Sequence, residues 1–117
     1  RPGISLVFST DTRPCETLDR YCAGADLLIL EGMYGTEDKR PQALKNHHML
    51  YSEAAEIARK AETGGLLLTH FSTSMEDPEA YLPEVRQIFE RTWTAKDGLT
   101  VTMRYPEKGE KAWTSLY

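Results

Sequence analysis

The chain is short of several things, and each shortage closes off a class of protein. It has two cysteines in 117 residues, too few for a disulfide framework. Cys15 and Cys22 stand in a stretch that reads as helix, where seven positions separate Cα atoms by about 10 Å, beyond disulfide reach. No second thiol pair or suitably spaced histidine joins them into a structural zinc site. Both are expected to be buried thiols on one helical face, as suits a reducing cytoplasm. No apolar run approaches the ~18 residues of a membrane span, and no charged-then-apolar leader opens the chain. The first residue is Arg1 rather than Met, so the chain reads as processed or as part of a longer one. Basic charge is short as well. Fourteen Lys and Arg against 18 Asp and Glu leave a formal charge of −4, which argues against a self-sufficient nucleic-acid binder. There is no internal repeat, no low-complexity segment and no His-Glu-x-x-His motif. What remains has the length and composition of one globular domain.

That domain is built around Ile4–Pro14. Leu6, Val7 and Phe8 form a short apolar run of the kind buried on both faces, and the run stops at Asp11. Glu16 to Ala23 reads as a short helix with Gly24 as its stop. Asp26 to Glu31 is a second buried strand, ending in a carboxylate. Gly32 to Asn46 is rich in turn and charged residues and reads as a long connection, of a length that is often functional. Met49 to Ala61, rich in alanine with apolar residues at three-and-four spacing, is a helix closed by Gly64 and Gly65. Leu66 to His70 is a third strand. Pro78 to Trp93 has the spacing of an amphipathic helix capped by Asp77, and Leu99 to Tyr105 alternates as a fourth strand. The tail from Pro106 is charged. The predicted order is β-α-β-α-β-α-β, an α/β fold with parallel pairing and crossover helices.

Asp11, Glu31 and His70 each stand at the carboxyl end of a predicted parallel strand, where open α/β sheets gather their chemistry. Neighbouring strands lie ~4.8 Å apart, so the three side chains can share a rim, and His48 is placed to reach it from the next helix. Each has an ordinary structural reading too. Asp11 or Thr12 can cap a helix, His70 can pair with a carboxylate, and His47 and His48 can mark an exposed helix start. Together, Asp, Glu and His are the donors of a hydrolytic metal site or an acid–base pair.

The motifs Ser9-Thr10-Asp11-Thr12-Arg13-Pro14, Glu31-Gly32-Met33-Tyr34-Gly35, His48-Met49-Leu50, Ser52-Glu53-Ala54-Ala55-Glu56 and Leu68-Thr69-His70-Phe71-Ser72 carry a family likeness. In order and spacing the chain resembles ribonuclease Z, the tRNA 3′-processing endonuclease of the metallo-β-lactamase superfamily. The resemblance runs from Ile4 to the last strand and is to the C-terminal half of such an enzyme. It implies half of an αβ/βα sandwich over residues 1–105, with 106–117 as a charged tail. It also implies a complete active site of two Zn2+ ions, with Asp11 as the bridging ligand and His70 as a ligand of the second zinc. Glu31 and His48 then cooperate at the scissile phosphate, His48 as proton donor to the leaving 3′ oxygen, while Thr12 and Arg13 hold Asp11 in place. Its implied partners are precursor tRNA and a missing N-terminal half. That half carries the family's His-x-His-x-Asp-His segment, which this chain lacks. Two positions depart from the commonest family pattern: Leu30 stands where many members have histidine, and Met49-Leu50 where Ser-Thr is usual.

From these readings the chain is expected to be inactive and metal-poor alone, cytoplasmic, and prone to homo-oligomerise through uncovered apolar strands. Two rivals stay open at this stage. One is a non-catalytic half-domain serving as a binding or scaffold module. The other is a metallo-phosphodiesterase acting on a different substrate.

Overall fold

Leucine runs too short for helices and bounded by turn residues form the centre of the molecule. The computed structural model describes residues 3–104 and 113–116. Strands β1 (Leu6–Ser9), β2 (Leu27–Glu31), β3 (Leu66–Thr69) and β4 (Thr92–Thr94) make one sheet in the order β1-β2-β3-β4. All three pairings are parallel, with Leu6 beside Leu27, Leu28 beside Leu66 and Leu66 beside Thr92. The fold is therefore α/β, as the alternation of elements predicts.

Strand order that follows chain order, with crossovers of one hand, carries the intervening helices to one face. Helices α1 (Glu16–Cys22), α3 (Tyr51–Ala61) and α4 (Leu82–Val85) all enter one core with Leu28, Leu30, Leu66 and Leu68. Ala54, Ala55 and Ala58 are fully buried, so small side chains let α3 lie close on the sheet. The opposite face is different. Leu6 and Phe8 are 51% and 62% exposed, which corrects the expectation that this strand is covered on both sides. β1 is an edge strand with its helices on one side only.

Several local readings are corrected. Cys22 is buried but Cys15 is exposed, because Cys15 precedes α1 in extended backbone and does not share its buried face. The connection from Gly32 contains a 3-10 turn (Glu37–Lys39) and helix α2 (Arg40–Asn46). Pro41 sits in the first turn of α2, where its missing N–H costs nothing, and Ala43 is its one buried residue, so no apolar stripe announces it. Helix α3 begins at Tyr51 rather than Met49.

The stretch from Pro78 to Trp93 is not one helix. It is a 3-10 turn (Pro78–Tyr81), the single turn of α4, and then β4, which contains Trp93. Asp77 caps its start, accepting the Glu79 N–H at 3.1 Å. The chain then folds back. The Thr92 hydroxyl donates to the Phe89 carbonyl at 2.6 Å and Arg86 Nε donates to the Thr92 carbonyl at 2.9 Å. The fourth parallel strand is thus Thr92–Thr94, not Leu99–Tyr105. Within the latter, β5 (Val101–Arg104) pairs antiparallel with β6 (Trp113–Leu116), so the expected charged tail carries a strand. The rest of that tail lies outside the described residues. Among the described residues no helix is long and apolar enough to cross a membrane.

Candidate functional site

The carboxyl rim of the sheet is shaped by unusual backbone. Asp11, just past β1, and His70, just past β3, have φ of 58° and 57°, and His47, closing α2, has φ of 58°. A side chain in left-handed backbone costs roughly 1–2 kcal/mol per residue. Such conformations gather where the surrounding structure enforces a geometry. Here they turn the chain sharply off the strand ends, so that Asp11 and His70 project over the rim.

Three of the expected residues meet directly. Asp11 Oδ1 lies 3.1 Å from His70 Nε2 and 3.8 Å from His48 Nδ1. One ligand atom from each of Asp11, His48 and His70 falls within 4.8 Å of the others, and the two imidazole centroids are 5.9 Å apart. Asp11 and His70 are open to solvent while His48 is largely covered. His47 does not join the group. As the left-handed residue ending α2 it turns the chain so that His48 enters the rim.

Glu31 is placed differently from Asp11. It is completely buried, and its carboxylate is the junction of three segments. Oε1 accepts the Thr12 N–H at 3.0 Å and Oε2 accepts the Met49 N–H at 2.9 Å. His48 Nδ1 lies 3.0 Å from Oε2 and 3.2 Å from Oε1. A carboxylate only accepts, so the imidazole meets it as a donor through Nδ1, and Nε2 is the ring nitrogen that Glu31 does not engage. Gly32 makes this placement possible. A Cβ there would stand 2.7 Å from the Tyr51 ring and 3.2 Å from Phe71, so only glycine lets the chain leave β2 directly over Tyr51.

Sequence reading gave no role to two further groups. Glu53, third residue of α3, accepts the Leu50 N–H at 3.0 Å and both terminal nitrogens of Arg13, one of them at 2.6 Å. An acid at the third helical position is a known N-terminal signal, and that signal was available in the sequence. Tyr34 stands edge-on to His48 with centroids 6.4 Å apart, its hydroxyl accepting from Asn46 Nδ2 at 3.2 Å. It lies in the Glu31–Gly35 motif, but nothing there marks it as a neighbour of His48.

The rim can do two things chemically. Asp11 and His70 are an oxygen and a nitrogen donor side by side. Ligands ~2.0–2.2 Å from one tetrahedral zinc stand ~3.4 Å apart, so the pair fits two corners of such a shell and leaves the others to be filled. Glu31 and His48 form a buried carboxylate–imidazole pair, the usual way of orienting a proton-transferring histidine.

Three comparisons bear on this geometry. A family model described as a beta-lactamase superfamily domain matches residues 1–71. Ribonuclease Z of Clostridium acetobutylicum is 45% identical over 97 residues, which is 83% of this chain and 31% of that protein. Ribonuclease Z of Lachnospira eligens is 37% identical over 109 residues, 93% of this chain and 36% of the relative. Among solved structures, the metallo-beta-lactamase fold protein YhfI from Bacillus subtilis superposes with a TM-score of 0.69 at 28% identity. That match covers 80% of this chain and 38% of the other. The chain thus spans about a third of the length of the curated relatives it matches.

Proposed function

The chain belongs to the beta-lactamase superfamily, and from that premise we propose that it is the C-terminal part of a zinc-dependent endonuclease of the ribonuclease Z kind, cutting precursor tRNA at its 3′ end. The observation that carries the reading is the division of labour at the rim. Two open donors, Asp11 and His70, stand beside a histidine gripped from behind by a fully buried glutamate.

In the assembled enzyme Asp11 and His70 would hold metal, and the remaining ligands would come from the N-terminal segment that its relatives' greater length leaves room for. Zinc held there would supply Lewis-acid chemistry, activating water and neutralising charge on the phosphoryl oxygens. Glu31 holds His48 by Nδ1, so that Nε2 delivers a proton to the departing 3′ oxygen as that bond breaks. Thr12, whose N–H is bound to Glu31, ties the Asp11 turn to the same junction. The RNA-gripping basic surface belongs to the rest of the enzyme, in keeping with the charge of −4 here.

The motif departures leave the groups lining the rim in place. Leu30 and Met49 are fully buried members of the core and Leu50 is 1% exposed, so the changes alter packing rather than the groups lining the rim. Two unbridged cysteines agree with the reducing cytoplasm in which such an enzyme would act.

The test joins this chain to a segment carrying His-x-His-x-Asp-His, in cis or in trans, with a 3′-extended precursor tRNA as substrate. The 117-residue chain alone is expected to be inactive and to retain little zinc after dialysis against a mild chelator. In the joined enzyme Asp11→Ala loses metal and turnover. His48→Ala keeps its metal and loses roughly 10²–10⁴-fold in kcat. Stoichiometric zinc on the isolated chain, zinc loss in His48→Ala, or undiminished cleavage in both variants would overturn the reading.

A further inference from the structure

Glu31 holds the ring of His48, but something must also hold the backbone that carries the ring. We infer that Arg13 and Glu53 are positioning residues for His48, forming a second clamp that fixes its main chain against the Asp11 turn. Arg13 lies two residues beyond Asp11, and its guanidinium reaches three acceptors at once. Nη1 donates to the His48 carbonyl at 2.8 Å and also to Glu53 Oε1, while Nη2 donates to Glu53 Oε2 at 2.6 Å. Glu53 in turn accepts the Leu50 N–H, the first turn of backbone after His48. The peptide that carries His48 is therefore pinned on both sides. Glu31 grips the ring and the Met49 N–H, and Arg13 grips the His48 carbonyl.

This is not an ordinary surface ion pair. The Arg13 and Glu53 side chains are only 23% and 12% exposed, and each also bonds the backbone around His48, Arg13 to the His48 carbonyl and Glu53 to the Leu50 N–H. Arg40 adds a looser contact to Glu53 at 3.4 Å and ties its own pairing to Glu37 to the same node. The planar fork of arginine matches a carboxylate and a neighbouring carbonyl together, which a lysine ammonium cannot do from one position. A clamp built this way moves with the Asp11 turn, so the distance between the metal-side donors and the proton-donating imidazole is set by Arg13 as much as by Glu31.

The structural part of this inference stands on the chain itself, and its catalytic consequence rests on the proposed function. The test uses Arg13→Lys, which keeps the charge, and Glu53→Gln, which keeps the shape. In the isotope-labelled 117-residue chain, imidazole 1H–15N spectra are expected to show the His48 signals displaced in both variants while those of His47 stay. Hydrogen exchange at the Met49 amide is expected to accelerate about tenfold or more. In the joined enzyme, both variants should lower kcat roughly 10- to 100-fold, with metal content unchanged and KM for precursor tRNA within about twofold. A fall in melting temperature with unmoved His48 signals and unchanged kcat would overturn the inference, leaving a structural buttress only. Should the unsubstituted joined enzyme fail to cleave precursor tRNA, the functional reading fails, and the imidazole spectra still decide the clamp.

Discussion

On one face of the parallel sheet Leu28, Leu30, Leu66 and Leu68 are fully buried beneath α1, α3 and α4, whereas on the other Leu6 and Phe8 are 51% and 62% exposed. The strands on both faces are built from the same residue types. What differs is what covers them. Exposure on that side concentrates at the β1 edge: Leu27, the β2 partner of Leu6, is fully buried and Leu67 is only 5% exposed. The comparison teaches that apolar strand composition reports a demand for burial, and that a strand's place in the sheet decides how far the demand is met: on this second face the inner Leu27 and Leu67 are covered while Leu6 and Phe8 on the edge strand are not. The open edge at β1 and the incomplete donor set at the rim adjoin each other, since β1 runs straight into Asp11. In the proposed enzyme, one covering segment would supply both the second layer and the remaining ligands.

The largest effect that would test this contrast is on stability. Leu68→Ala on the covered face should cost about 2–5 kcal/mol, read from denaturant unfolding. Phe8→Thr on the open face should stay within about 0.5 kcal/mol in the chain alone. Equal losses from the two substitutions would mean that the open face is not open.

A smaller effect concerns association. Sedimentation at low micromolar concentration should show dimers or larger species, shifted toward monomer by Leu6→Thr and Phe8→Thr. A clean wild-type monomer that binds no hydrophobic dye would remove the case for a face in need of cover.

The smallest effect sharpens the contrast through the thiols. Burial of Cys22 pushes its pKa from an ordinary 9.0 up to about 11, with the neighbouring Asp19 charge adding to the rise. At neutral pH iodoacetamide should therefore modify the exposed Cys15 alone, and both thiols only in denaturant. The unfolded chain loses the Cys22 proton first, so this group's contribution to stability is intact below about pH 9. It falls as pH rises toward about 11, which urea midpoints across that window would detect.

Much of the rim was legible because the cues are local. The apolar runs at Leu6–Phe8, Leu27–Leu30 and Leu66–Leu68 each stop within a few residues of Asp11, Glu31 and His70, and a strand end needs no distant partner to be seen. Other segments misled for physical reasons. Tyr81, Leu82, Val85, Ile88 and Phe89 do lie at helical spacing, yet the chain turns through Phe89–Thr92 and the three residues of β4 are too few to show a period of their own. Helix α2 hides behind Pro41 and a surface with one buried alanine. Composition does not separate the adjacent His47 and His48; the motif His48-Met49-Leu50 does, and the left-handed turn at His47 is what carries His48 to the rim.

By itself the sequence determined the first three strands, their parallel pairing and the three residues at their ends, since each follows from patterns a few residues long. Only the tertiary structure decided that the β1 edge stays exposed, that the Glu31 carboxylate joins Thr12, His48 and Met49, and that Arg13 reaches Glu53. Those contacts span 19, 17, 18 and 40 residues. No local preference encodes separations of that length. They close because the register of β1 on β2 and β2 on β3 brings the strand ends to one rim, and because a buried carboxylate must find its donors wherever the fold delivers them.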